Sequence, residues 1–357
     1  MPSQSEHHDV AVVGGGVIGL AVAWRAAQRG LRPLVLDAGE PGAWQYAAGM
    51  LAPVTEAEFG EQALLALGLR AAAGFPAFCA ELAEASGRDP GLRRSGTLAV
   101  ARDADEAAEL DRLFAFRREL GLEVERLRPS QARRAEPALA PTVRLGLDVP
   151  GDAAVDPRRL VAALADAVEH AGGELRRARV APGDLAALPA GRVVVAAGAW
   201  SGQFGGLPVR PVKGQIMRLR DAHGHDLVAR TIRTRDGYLV PRGEGRYVLG
   251  ATVEERGWDT APTAGATHEL IRDMAEVVPG VLELEIEELG AGLRPGTPDN
   301  LPVIGESGGL VWATGHYRSG VLLADATAEA VVSVLAGDGL PGWAAACDPA
   351  RFSEVPA

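Results

Sequence analysis

The run Gly14-Gly15-Gly16-Val17-Ile18-Gly19 sits between a short apolar segment, residues 9–13, and a stretch of helical composition, residues 17–29, that ends at Gly30. This order reads as strand, tight turn and helix. The G-x-G-x-x-G spacing gives the glycines separate roles. Gly14 permits the turn, Gly16 lets a pyrophosphate approach the backbone, and Gly19 lets the helix pack on the strand. Phosphate charge then meets the helix N-terminus. A second apolar run, residues 33–36, completes a β-α-β unit. It ends at Asp37, 18 residues beyond Gly19, where a carboxylate accepts hydrogen bonds from an adenosine ribose and disfavours a 2′-phosphate. NAD and FAD both offer an ADP moiety to such a unit, so this pattern alone leaves both open.

The chain has 357 residues, more than one compact domain usually holds, which predicts two domains. A formal net charge of -11 argues against nucleic acid or an anionic membrane surface as a partner, since both repel an acidic protein. Cys79 and Cys347 are far apart and lack C-x-x-C spacing, so neither a disulfide framework nor a zinc site is expected, and a cytoplasmic location fits. The apolar opening is broken by glycines and closed by Arg25 before the ~20 residues that a membrane span needs. Its flank carries Glu6 and Asp9 in place of a signal peptide's positive charge.

Further along, helices are predicted over 61–86, 105–120, 267–278 and 320–335, and strands over 97–101, 192–197 and 310–313. Asp156-Pro157 joins an N-cap acceptor to a proline at the first helical position and starts a helix that runs to Gly172. Val180 is expected in the strand after it. From 209 to 293, short β-type runs alternate with glycine-rich turns, as in Tyr238-Leu239-Val240-Pro241, which predicts a mostly antiparallel sheet. Nucleotide-type segments therefore bracket β-rich ones.

Five further segments carry a resemblance. They are Ala47-Ala48-Gly49-Met50-Leu51-Ala52-Pro53, Val193-Val194-Val195-Ala196-Ala197-Gly198-Ala199-Trp200-Ser201, Pro211-Val212-Lys213-Gly214-Gln215, Gly292-Leu293-Arg294-Pro295-Gly296-Thr297 and Gly315-His316-Tyr317-Arg318-Ser319-Gly320. In this order they resemble the glycine oxidases of the D-amino-acid oxidase superfamily, over nearly the whole chain. The resemblance implies an α/β fold: a Rossmann-like FAD-binding domain (1–88, 150–207 and 294–357) with an inserted substrate domain (89–149 and 208–293) built on a mostly antiparallel β-sheet. It implies FAD held by Gly14, Gly16, Val17, Ile18, Gly19, Asp37, Ala38, Ala48, Gly49, Met50 and Val180 together with His316, Tyr317, Arg318, Ser319, Gly320, Val321 and Leu322. A helix start in that last run would set N–H groups and a positive dipole end against charge gathering on the flavin. Trp44 and Gln45 depart from the family, which usually carries small hydroxyl residues there, and Val253 stands where the glycine oxidase compared has Met.

An amino-acid substrate brings a carboxylate into a dry pocket, where a planar guanidinium offsets its desolvation best. Arg294, read as lying in a rigid turn at a strand end, resembles the family's carboxylate-binding arginine. Tyr238 resembles the second carboxylate contact, and Arg318 a residue that reaches the substrate region. His316 is given no catalytic role, because a histidine in such a turn more often serves the cofactor. Lys213, the sole lysine, is the one position where PLP could form a Schiff base, a possibility the flavin-type context disfavours. The expected reaction is oxidation of glycine, sarcosine or D-alanine by direct hydride transfer, with dioxygen as acceptor and no acid or base required. By family analogy the enzyme serves thiazole synthesis for thiamine and forms a homo-oligomer, a tetramer. A sarcosine or D-amino-acid oxidase or dehydrogenase, a non-catalytic flavoprotein and an NAD-dependent dehydrogenase are the competing readings.

Overall fold

The computed structural model describes residues 7–352; Glu6 and the ends of the predicted cofactor domain, residues 1–6 and 353–357, lie outside that range. Strands, numbered along the chain, fall into two large sheets. The first contains β1 (His8–Val13), β2 (Pro33–Asp37), β8 (Glu174–Arg177), β9 (Ala190–Val195), β15 (Val303–Ser307) and β16 (Leu310–Thr314), in the order β15-β16-β9-β1-β2-β8. Its neighbours run parallel except β15 against β16.

The second sheet contains β4 (Thr97–Ala101), β5 (Glu125–Leu127), β6 (Leu145–Val149), β10 (Arg210–Arg220), β11 (Thr231–Arg233), β12 (Tyr238–Gly243), β13 (Arg246–Gly250) and β14 (Glu285–Gly296). Their order is β14-β10-β13-β12-β11-β4-β6-β5. This sheet is mixed: β11 and β4 run parallel, and the other neighbours antiparallel. The parallel joint falls where two separate stretches of chain meet, so no hairpin dictates the direction of that pair. A two-stranded ribbon, β3 (Met50–Leu51) with β7 (Ala153–Ala154), lies apart from both sheets.

Helix α1 (Val17–Gln28) is apolar almost all round and buried almost all round, as a central core helix must be. It packs against α5 (Pro157–His170) and α7 (Ala324–Ala336). Helix α2 (Gln62–Ser86) is apolar and long enough to cross a membrane by length and composition. Here it delivers Leu67, Phe75, Phe78 and Leu82 to the same core, with the Phe78 ring 5.7 Å from that of Trp24. Both cysteines are free and buried. Helices α3 (Ala104–Glu119) and α4 (Pro129–Ala135) follow β4 and β5 along the chain. A second core fills one face of the mixed sheet, where Leu270 and Met274 of α6 (Ala264–Ala275) meet Leu98, Ile232, Leu239 and Leu249.

Local chemistry sets the helix starts. Asp156 accepts hydrogen bonds from the N–H groups of Arg158 (2.9 Å) and Arg159 (3.3 Å), with Pro157 at the first helical position. Three expectations need correction. The helix expected over 267–278 spans Ala264–Ala275, because Thr263 caps it by accepting the Ala266 N–H. Val180 lies in a loop, three residues past the end of β8, because the chain leaves the sheet edge at Arg177. The helix expected from 320 begins at Ala324, since residues 320–323 form a turn of their own, although the Leu323 N–H already donates to the Ser319 carbonyl at 2.9 Å.

Candidate active site

A continuous cleft of about 400 Å³ runs along the C-terminal ends of β1, β2, β9 and β16 and reaches Tyr238, Gly214 and Arg294 on the mixed sheet. The ends of parallel strands, where the order reverses direction, are where such folds bind ligands; here β1 has β2 on one side and β9 on the other.

The first turn shows why glycine is needed. Gly14 has φ +111°, and a Cβ there would stand 2.4 Å from the Ala196 carbonyl oxygen. A Cβ on Gly19 would stand 1.9 Å from the Gly14 oxygen. Gly16 differs: its backbone is extended and a Cβ would meet only the Trp44 ring, at 3.5 Å. Helix α1 starts at this glycine with no side-chain cap and no acid in its first turn, so its first N–H groups are available to an anion. The Asp37 carboxylate accepts Gly15 N–H on Oδ2 and Gly39 N–H on Oδ1, each at 2.7 Å. One further lone pair on each oxygen remains for a ribose hydroxyl. Ala38 and Val180 line the same end of the cleft.

Between the two ends the cleft is walled by Val17 and Ile18 of α1, by Ala48, Gly49 and Met50, and by His316, Tyr317, Arg318, Gly320 and Val321. Gly49 has φ +63°, and its carbonyl accepts Val155 N–H at 2.9 Å. The buried Arg242 guanidinium donates to the Ala48 carbonyl and fixes that segment from behind. The N–H groups of Gly320, Val321 and Leu322 make no backbone hydrogen bond among the described residues, and Gly320 and Val321 line the cleft, so unspent donors lie at its wall. Ser319 and Leu322 themselves line a small adjoining cavity of about 30 Å³, and Gly19 lies under the turn, outside the cleft. Trp44 and Gln45 line the cleft, Trp44 beside Gly16.

His316 is buried, with Nε2 paired to the Thr327 hydroxyl at 2.8 Å. Burial pushes its pKa down to about 3, so the ring is neutral at any working pH and partners α7. Lys213 is fully buried, and its ammonium donates to the Asp259 carboxylate (2.8 Å) and the Ala261 carbonyl (2.6 Å).

Arg294 lies within β14, not in a turn, opposite Val212 of β10. Its Nη1 donates to the carbonyls of Thr252 (3.0 Å) and Lys213 (3.3 Å). Nε and Nη2 make no hydrogen bond among the described residues. The guanidinium lies flat on Gly214, where a Cβ would stand 2.3 Å from both terminal nitrogens. Tyr238 opens β12, and its ring crosses Gly250 on the neighbouring strand. Burial pushes its phenol pKa up, against the pull of Arg294 and Arg233, so the hydroxyl keeps its proton and can donate it. Arg318, over the Tyr317 ring at 5.0 Å, is exposed at the cleft's edge. Val253, the position where the glycine oxidase compared has Met, lies past the end of β13, is 58% exposed and does not line the cleft. Glu56 lines the cleft and was not signalled by any motif.

A glycine turn under a helix N-terminus, an acid at the end of the neighbouring strand, and a single cleft that runs from them to the mixed sheet are the features of a dinucleotide-binding fold. Residues 9–334 match the model of the FAD dependent oxidoreductase family, and the chain belongs to that family. It is 34% identical to the glycine oxidase of Geobacillus kaustophilus, over 93% of each chain. The crystal structure of glycine oxidase from that organism superposes with a TM-score of 0.90 at 33% identity, covering 97% of this chain and 99% of that one. The bifunctional protein ThiO/ThiG of Trichormus variabilis is 32% identical over 92% of this chain and 52% of its own length. FAD is the cofactor, as the family and the fit of the cleft require.

Proposed function

We propose that this enzyme oxidises glycine, and more slowly sarcosine and D-alanine, to the 2-oxo acid and hydrogen peroxide, with release of ammonia, or of methylamine from sarcosine, and that it supports thiazole synthesis for thiamine. For glycine the balance is glycine, dioxygen and water to glyoxylate, ammonia and hydrogen peroxide. When bound, FAD would supply the two-electron acceptor chemistry for the Cα hydride, with dioxygen as final acceptor.

The protein's part is binding, alignment and exclusion of water. Gly14, Gly16, Val17 and Ile18 receive the pyrophosphate, Gly19 packs the turn, and Asp37, Ala38 and Val180 hold the adenosine end. Ala48, Gly49 and Met50 face the ring from one side, and the segment from His316 to Leu322 from the other. Arg294 binds the substrate carboxylate through Nε and Nη2, Tyr238 donates its hydroxyl to the same group, and Arg318 guards the open edge. Neutral His316 transfers no proton. The chain divides into a cofactor domain (1–88, 150–207, 294–357) and a substrate domain on the mostly antiparallel sheet (89–149, 208–293). Helix α2 serves as a core helix and not as a membrane span; the enzyme is a cytoplasmic homo-oligomer, a tetramer by analogy, with no nucleic-acid partner.

The observation that carries this reading is the Arg294 guanidinium, held flat on Gly214 inside the cleft with two nitrogens free. Charge-assisted hydrogen bonds contribute ~1.5–3 kcal/mol each. Arg294→Ala is therefore expected to raise KM for glycine by on the order of 100-fold or more while flavin content stays at one per chain. Steady-state peroxide assays with glycine, sarcosine and D-alanine measure this, and wild-type glycine kinetics in the variant would refute the assignment.

A further inference from the structure

We infer that Glu56 recognises the substrate's amino group and so makes the site selective for amines over other small carboxylates. This rests on the proposed amino-acid oxidase reading and assigns the half of the substrate that reading leaves unheld. Glu56 lines the cleft with Tyr238, Arg294 and Arg318, and it also lines the small cavity on the far side of Arg318. Its charge acts on the Tyr238 hydroxyl. Among the described residues the Glu56 carboxylate makes no ion pair or side-chain hydrogen bond, so it is an unspent acceptor that lines the cleft together with the Arg294 and Arg318 guanidinia. With a carboxylate on Arg294 and Tyr238, the opposite end of an α-amino acid is its amino group, and a carboxylate accepts its N–H bonds more strongly than a neutral acceptor does.

The segment is held with unusual firmness for a loop. Glu56 N–H donates to the Ala52 carbonyl at 2.9 Å. Its neighbour Thr55 is gripped twice: the hydroxyl donates to Asp152 and the carbonyl accepts from Arg117. Both gripping groups are buried to 1–2% exposure. Two buried ionisable side chains are costly, and neither reaches the cleft. Their common contact is the residue before Glu56, which fixes where that carboxylate stands.

The test compares two ligands that differ by the amine. Glycine and acetate are titrated into the anaerobic holoenzyme, and Kd values are read from perturbation or bleaching of the flavin spectrum, for wild type, Glu56→Gln and Thr55→Val. Glu56→Gln is expected to raise the glycine-to-acetate Kd ratio about tenfold or more, with acetate binding as tightly as before or tighter. Thr55→Val is expected to move the ratio the same way by less, at unchanged flavin content. An unchanged ratio in Glu56→Gln, or equal weakening of both ligands, would overturn the assignment. A wild-type enzyme that binds glycine without bleaching would overturn the oxidase reading instead, while the Kd ratio still decides the role of Glu56.

Discussion

Gly214 and Arg294 act as one unit, although they are 80 positions apart in the sequence. Antiparallel pairing of β10 and β14 sets Gly214 opposite Gly292 and diagonal to Arg294, within reach of a long side chain. The missing side chain at 214 gives the guanidinium a flat floor. A methyl group there would displace the mobile end of an arginine rather than backbone, so Gly214→Ala should unfold nothing and misplace the carboxylate contact. The expected result is a glycine KM raised about 10–100-fold, as for loss of one to two charge-assisted bonds, with a melting temperature near wild type; steady-state kinetics beside a thermal melt check it, and an unchanged KM would contradict the geometry. Arg294 and Tyr238 were legible in the sequence through the segments around them. Gly214 was visible only as part of a motif, and Glu56 not at all, because their significance arises from strands and loops that meet across large sequence separations.

Elements were read from the sequence where local chemistry dictates them. The short apolar run 97–101 is a strand to the residue, buried at every position, and the Asp156 cap with Pro157 marks the start of α5. The start of α7 was misplaced by four residues because the turn 320–323 has helical composition but is shaped by its neighbours. The grip on residues 54–57 was equally hidden, since Asp152 follows β6 and Arg117 closes α3, far along the chain. Burial raises the Asp152 pKa to about 7, against the hydrogen bonds from Thr55 and Thr97. Below pH ~4 the group is protonated folded or unfolded. Between pH ~4 and 7 only the folded state keeps the proton, so stability falls as pH rises and the loss is complete above about pH 7. At most about 4 kcal/mol is at stake. Asp152→Asn keeps an acceptor for Thr55 and removes the titration. Its urea midpoint should match wild type near pH 4 and exceed it at pH 8; parallel curves for the two proteins would show that Asp152 is not the source.

At the scale of the molecule, the cleft joins the two sheets: its floor comes from the ends of parallel strands and its substrate end from the mixed sheet. A cofactor lying along it binds only the folded arrangement, and so stabilises the whole by mass action, about 2.7 kcal/mol at a free concentration 100 times Kd. The glycines of the first turn separate what the fold needs from what the ligand needs. Gly14 and Gly19 are closed by backbone at 2.4 Å and 1.9 Å, so a side chain at either is excluded by the protein itself. Gly16 has extended backbone and room for a Cβ; nothing in the protein forbids an alanine there, and the proposed pyrophosphate contact is what calls for glycine. Gly16→Ala should therefore melt like wild type as apoprotein and lose much of the rise in melting temperature on adding FAD. Gly19→Ala should lower the apoprotein melting temperature directly. Thermal melts of the three proteins with and without FAD separate these outcomes, and a Gly16→Ala apoprotein as unstable as Gly19→Ala would show that position 16 serves the fold, not the cofactor.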